Sequence, residues 1–114
     1  MRIRLGMSYK AGDIALVKFP SADLKKSKKR PVVVVKSENE LKDIVCFQIT
    51  SNHKQTNLLK IENDDLDNST LALKSFIKYD KCFTINTDIV DKKIAKINSK
   101  LLLQLKTLFC SELF

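Results

Sequence analysis

The apolar positions of this chain fall first into short runs separated by polar turns, and only at the end into a helical stripe. Ile14-Ala15-Leu16-Val17-Lys18-Phe19 reads as a strand stopped by Pro20. Residues 21–29 are polar and charged and read as a loop. Pro31 can open the next strand, because its missing N–H matters least at a first position. Val32, Val33, Val34 and Val35 follow without a break, as expected of a strand covered on both faces. After a turn at Asn39-Glu40, residues 43–50 alternate, with Ile44, Cys46, Gln48 and Thr50 on one side and Val45, Phe47 and Ile49 on the other. Residues 51–56 read as a polar loop, residues 58–61 as a short strand, and Asn63-Asp64-Asp65 as an acidic turn. Two more strands are expected over residues 71–78 and 82–86, split by a Tyr79-Asp80-Lys81 turn, and an edge strand within residues 89–97. From Ser99 to Leu113, Leu101, Leu102, Leu105, Leu108 and Phe109 recur at helical spacing, with Asn98 or Ser99 as N-cap. The pattern is mainly β: six or seven short strands and one C-terminal helix. It predicts a small twisted antiparallel sheet or partly closed barrel with the helix as a lid.

A chain of 114 residues holds one hydrophobic core. The domain is expected over residues 9–114, with residues 1–8 as an N-terminal extension. No apolar run approaches the roughly 18 residues that cross a bilayer, and no apolar stretch follows the first charges, so cytoplasmic residence without a membrane role is the expectation. The three cysteines, Cys46, Cys82 and Cys110, lie far apart, and all are read as buried, reduced thiols. With one histidine beside them they make no zinc set, and no metal or other cofactor is expected. The Asp64, Asp65 and Asp67 cluster reads as a solvated turn.

Charge changes this picture. The net charge of +8 is concentrated in the first 50 residues, and five of the six positions from Lys25 to Arg30 are basic. Such a cluster is the footprint of a polyanion partner, nucleic acid first and an acidic protein segment second. Motifs for nucleoside triphosphates, zinc proteolysis, serine esterases and calcium are absent.

What remains is a phosphate-directed site. Arg30 stands where the basic stretch meets the valine strand, and Thr50 and Ser51 where the next strand ends. If those strands pair, one guanidinium and two hydroxyls meet at one sheet edge. RNA brings its own nucleophile, the 2′-OH, so an enzyme need only hold the phosphate, offset charge on its oxygens and move two protons. Arg30 suits the charge task, since its planar fork matches two phosphate oxygens. Thr50 and Ser51 can donate hydrogen bonds to those oxygens. Asp80 is a candidate to accept the 2′-OH proton and Lys78 to supply one to the leaving oxygen, with His53 as a second candidate for either. Lys25, Lys26, Lys28 and Lys29 would draw in the RNA backbone. Phe19, Phe47 and Tyr79 are candidates for base stacking, although the core is the more ordinary destination for both phenylalanines. Each of these residues also has an ordinary explanation as a surface ion pair, a turn former or a cap.

These pieces, in this order, resemble the PemK/MazF family of toxins from toxin–antitoxin pairs. The resemblance rests on Gly12-Asp13-Ile14, Phe19-Pro20, Lys29-Arg30-Pro31 with the valines after it, Ile49-Thr50-Ser51, Leu73-Lys74-Ser75, and Asp80-Lys81 running into Thr84-Ile85-Asn86. It implies an SH3-like antiparallel barrel with a C-terminal helix, assembled as a homodimer. It implies a metal-independent endoribonuclease that cuts single-stranded RNA at short sequences, leaving a 2′,3′-cyclic phosphate and a 5′-OH. A cognate acidic antitoxin would cover the RNA groove, and DNA would be bound only through that antitoxin. The family's catalytic Arg and Thr fall on Arg30 and Thr50. An Arg-x-Asp pair used by some members falls on Lys78-Tyr79-Asp80, where lysine keeps the charge and loses the fork. The loop before Arg30 also departs from the Gly-containing form of many members. Two other readings stay open: a gyrase-poisoning toxin of the same barrel class (CcdB-like), acting through its hydrophobic C-terminal residues Leu113 and Phe114, and a non-catalytic SH3-like module that binds nucleic acid by charge.

Overall fold

Among the described residues, alternation along the apolar runs builds six strands, and the helical stripe at the end builds one α-helix across them. A computed structural model describes residues 8–20, 27–37, 39–67, 71 and 74–113. The strands are β1 (Asp13–Pro20), β2 (Ser27–Lys36), β3 (Asp43–Thr50), β4 (Leu58–Ile61), β5 (Ser75–Asn86) and β6 (Val90–Lys96), and the helix is α1 (Ser99–Leu113). They form one antiparallel sheet in the order β4-β5-β3-β2-β1-β6. Its two edges are drawn toward each other just beyond the strands. Leu66, past β4, bridges Ile97, past β6, and the Asp67 and Asn98 N–H groups donate to the Lys96 and Asp65 carbonyls at 2.8 and 2.7 Å. The sheet is not closed by a continuous ladder, but this seam makes it barrel-like, as the strand pattern predicts.

One face of the sheet packs on α1. Ile14, Val33, Phe47, Ile49 and Ile77 point there and meet Leu101 and Leu105, with Leu105 fully buried. A fully buried leucine contributes about 1.5–3 kcal/mol over an exposed one. Phe109 sets its ring edge-to-face on Phe47, with centroids 4.9 Å apart. Asn98 starts the helix: its Oδ1 accepts from the Leu101 N–H at 2.9 Å, satisfying a donor that the helix itself cannot pair. The opposite face carries a second apolar layer of Ala15, Val17, Val32 and Cys46, continued by Tyr9, Val34 and Ile44. Val32, Val33 and Val34 are fully buried because both faces are covered, as their unbroken run predicts.

Three expectations are corrected. First, β2 begins at Ser27, so Lys28, Lys29 and Arg30 are strand residues and Pro31 lies inside β2. The reason is length: β1 runs on to Pro20 and pairs residue by residue with β2 back to Ser27, which carries the ladder into the basic stretch. Lys25 and Lys26 lie outside the described residues. Second, the strands expected over 71–78 and 82–86 are one strand, β5, beginning at Ser75; residues 79–81 are a register shift within it, where Phe47 pairs Cys82 and Gln48 pairs Lys78. Third, Cys46 is buried, but Cys82 and Cys110 are exposed, the latter on the outer side of α1; all three are free thiols.

Gly12-Asp13 has a structural task. Gly12 has φ +98°, and a Cβ there would meet the Ile97 carbonyl oxygen at 3.2 Å. Asp13 is buried; its carboxylate accepts the Lys10 N–H at 2.8 Å and pairs with Lys93 Nζ at 3.2 Å. The two residues fix where β1 enters between β2 and β6. Gly12→Ala is therefore expected to lower unfolding free energy by about 1–3 kcal/mol, read as a lower midpoint in urea at unchanged m-value.

Candidate nucleic-acid interface

The site lies where the β2–β3 ladder stops. The last pairs are Val34↔Cys46, Val33↔Phe47 and Val32↔Gln48. Continued two residues further, this register points Arg30 at Thr50, but no ladder forms there, and the strands leave a cavity of about 260 Å³ between them. Its walls include Lys28, Arg30, Gln48, Thr50, Ser51 and Ser75. The guanidinium and the two hydroxyls expected at one sheet edge thus share one cavity.

Each side chain is placed by the pleat. Arg30 pairs across β1 with Val17, a residue of the second apolar layer, so it stands on that face, away from α1. It is exposed, and among the described residues it meets no carboxylate. Thr50 is half-buried, and its Oγ1 accepts the Asn52 N–H at 3.1 Å. This bond occupies an acceptor lone pair and leaves the hydroxyl proton to donate into the cavity. The turn-forming reading of Thr50 and the phosphate reading are therefore compatible. Ser51 is exposed on the same rim.

The basic run is split by alternation. Lys28 shares the Arg30 face and is exposed, whereas Lys29 points to the other face and pairs with Asp91 on β6 at 3.1 Å. The Lys29 hydrogen bond first, then the charges of Lys29, Lys18 and Lys92, hold the Asp91 carboxyl below the ordinary carboxylate range. Lys29 reaches the cavity rim, but its ammonium is engaged elsewhere.

Lys78 and Asp80 are bound to each other. Lys78 Nζ meets Asp80 Oδ1 at 2.9 Å and donates to the Thr56 carbonyl at 3.0 Å, while Asn57 Nδ2 donates to Asp80 Oδ2 at 3.1 Å. Asn57 is left-handed at φ 59°, and the pair clasps the loop between β3 and β4 at its end, where it enters β4. Lys78 is opposite Gln48 in the ladder, one pleat repeat from the Arg30–Thr50 level, and neither it nor Asp80 lines the cavity. His53 is exposed in the β3–β4 loop and does not line the cavity.

A second cavity, of about 270 Å³, adjoins the first and is lined by Phe19, Arg30, Gln48 and Phe83. Phe19 and Phe83 meet edge-to-face with centroids 5.8 Å apart. Beneath them lies Cys46, whose Sγ donates to the Phe83 carbonyl at 3.7 Å. Burial pushes the Cys46 thiol up to about 12, so it stays protonated and is no nucleophile. Of the aromatic residues considered for stacking, Phe19 is at the site, Phe47 is in the core under α1, and Tyr79 packs against that core. Gln48 and Phe83 were not singled out from the sequence. The signal for Gln48 was its position two residues before Thr50 on one face of an otherwise apolar strand. Phe83 carried none, because residues 79–81 disguise which way β5 faces.

Comparison with known proteins agrees with this architecture. The family model for the PemK-like, MazF-like toxin of type II toxin–antitoxin systems matches residues 10–113, and the chain belongs to that family. Among solved structures, MazF from Deinococcus radiodurans is 16% identical with a TM-score of 0.73, covering 93% of this chain and 96% of that one. A MazE–MazF structure from the same organism is 14% identical with a TM-score of 0.75, covering 92% and 95%. An endoribonuclease in complex with its cognate antitoxin, from a mycobacterial species, is 12% identical with a TM-score of 0.72, covering 92% and 94%. At these identities the likeness is one of fold. No curated protein sequence matches the chain.

The Lys78–Asp80 clasp has a pH signature. The Lys78 hydrogen bond, and after it that of Asn57, holds the Asp80 carboxyl below its ordinary range. A lowered folded-state pKa adds stability above the unfolded value, about 3.9 for Asp, and that stability is lost as pH falls through the folded value. Asp80→Asn should therefore melt below wild type at pH 7, and the difference should shrink as pH falls through the lowered Asp80 value, as followed by circular dichroism.

Proposed function

We propose that this chain is the ribonuclease toxin of a toxin–antitoxin pair and cleaves single-stranded RNA at the cavity between β2 and β3. The observation that carries the reading is that Arg30 and Thr50, from neighbouring strands, line one cavity with Ser51 and Lys28. The match to the toxin family supports the same reading.

In this reaction the RNA 2′-oxygen attacks the adjacent phosphorus and the P–O5′ bond breaks, giving a 2′,3′-cyclic phosphate and a 5′-OH. Negative charge grows on the two non-bridging oxygens. Arg30 offers a permanently charged fork to them, with no carboxylate among the described residues to draw it away. The free Thr50 proton donates to one of the same oxygens, and Ser51 adds a donor on the rim. Lys28, on the Arg30 face, attracts the neighbouring backbone, and Lys25, Lys26 and Lys29 add to the field.

Asp80 receives the 2′-OH proton and Lys78 supplies one to the leaving 5′-oxygen in this scheme. In the free chain they hold each other and the Thr56–Asn57 turn. RNA must therefore loosen the clasp before either group acts, and the lowered Asp80 pKa makes it a weak base until then. His53, exposed on the adjoining loop, is the substitute proton carrier.

An acidic segment of a cognate antitoxin is the natural inhibitor of such a cavity, since it would satisfy Arg30 and Lys28 and displace RNA. A homodimer and cytoplasmic residence complete the proposal.

The test is purified protein with single-stranded RNA in excess EDTA, with the new ends read by mass spectrometry. Cyclic phosphate ends are expected. Arg30→Ala should lower the cleavage rate by about 10²–10³-fold or more, the scale of losing a transition-state donor, with the circular dichroism spectrum unchanged. Thr50→Val, which keeps the shape and removes the hydroxyl, should cost about 10–10³-fold. RNA binding that falls steeply with salt, without any new ends, would instead identify a non-catalytic module.

A further inference from the structure

We infer that the aromatic cavity beside Arg30 is a nucleobase pocket, in which Gln48 reads the edge of one unpaired base next to the bound phosphate. The inference rests on the proposed RNA site and adds to it the residues that choose the sequence.

The pocket and the phosphate cavity share a wall, since Arg30 and Gln48 line both. A ligand lying across that wall has an anionic part on the Arg30–Thr50 side and a part facing two phenyl rings on the other. A nucleotide has this division, its phosphate and base joined through one sugar. The rings of Phe19 and Phe83 are half-buried, perpendicular within 20° (72° between planes), and rest on buried Val17, Val32 and Cys46. They offer an apolar wall that is held still from below. Aromatic side chains that receive an unstacked base do so in this kind of setting, and the stacking itself tolerates every base.

Discrimination requires a polar group, and Gln48 supplies it. It stands between fully buried Cys46 and half-buried Thr50 on the same face of β3, with Val32 and Lys78 as its cross-strand partners. Among the described residues its side-chain amide makes no hydrogen bond, and its polar atoms are not sealed from solvent. An amide carries an acceptor and two donors, so it can bond in pairs to the edge of a base that shows a donor beside an acceptor. Nothing in the fold requires an amide at this position: a valine or threonine would serve the ladder better. Lys78, opposite Gln48 in the register, is already held by Asp80 and Thr56 and leaves the amide free.

The experiment has two arms. Wild type, Gln48→Ala, Gln48→Glu and Phe83→Leu are first mixed with a randomised 2′-fluoro RNA pool, which lacks the attacking hydroxyl, and the bound fraction is sequenced. Wild type should enrich a motif with one position that Gln48→Ala flattens by about tenfold or more while leaving the others. Gln48→Glu, which keeps only acceptors, should shift that position toward guanine, whose N1–H and N2 amine present two adjacent donors. Phe83→Leu keeps apolar volume and should weaken binding of all bases at that position. The same proteins are then given ordinary RNA, and cut sites are mapped; the position sensitive to Gln48 should adjoin the cut. Identical motifs for wild type and both Gln48 variants, with folding confirmed by circular dichroism, would overturn the pocket. A wild type that selects the motif in the first arm and cuts nothing in the second would overturn the ribonuclease reading and leave the pocket standing.

Discussion

The register between β2 and β3 holds this molecule's chemistry in place. Three consecutive pairs, from Val34↔Cys46 to Val32↔Gln48, fix which side chains of the two strands share a face. Because side chains alternate with a period of two, a slip of β2 by one residue would turn Arg30 toward α1 and send Val33 out of the core. The large apolar investment on the helix side, Ile14, Val33, Phe47, Ile49 and Ile77 against Leu101 and Leu105, therefore pins the polar end of the same strands. The core specifies the site by forbidding every other pairing.

The second determinant is where the ladder stops. Had β2 and β3 stayed paired to the end of β3, backbone hydrogen bonds would fill the space between Arg30 and Thr50. Instead β2 turns its allegiance to β1 alone, from Ser27 to Pro31, and the strands part into a cavity with donors on both sides. The candidate site arises from an interruption in a regular element, with strand residues on either side to aim their side chains into it.

Much of this was legible in the sequence because it follows from periodicity. β3, β4 and α1 have the ends that alternation, helical spacing and the Asn98 cap predict. Arg30, Thr50 and Ser51 could be placed together because Arg30 marks the junction of the basic stretch with the valine run and Thr50-Ser51 the end of β3. The misjudged parts are those in which pairing between distant segments overrides local composition. A lysine-rich stretch looks like a loop, yet β1 supplies enough partners to make residues 27–30 a strand. Tyr79-Asp80-Lys81 looks like a turn, yet β3 continues past it and absorbs those residues as an irregularity. Burial of cysteines was overestimated for a related reason: Cys82 adjoins that irregularity, and Cys110 lies on the outer side of α1, neither of which hydrophobicity alone reveals. The Lys78–Asp80 clasp was invisible because Thr56 and Asn57 are distant in the chain and reach β5 only through the pairing of β4 beside it.

Pro31 has one more effect. Between Ser27 and Pro31 the side of β2 that faces away from β1 has no strand beside it among the described residues. An open margin of this kind can template the addition of a foreign strand and so seed aggregation. Here it is short, carries Lys28, Lys29 and Arg30, and ends in a residue with no amide proton to offer. The same few side chains that give the cavity its positive field thus discourage strand addition along this margin.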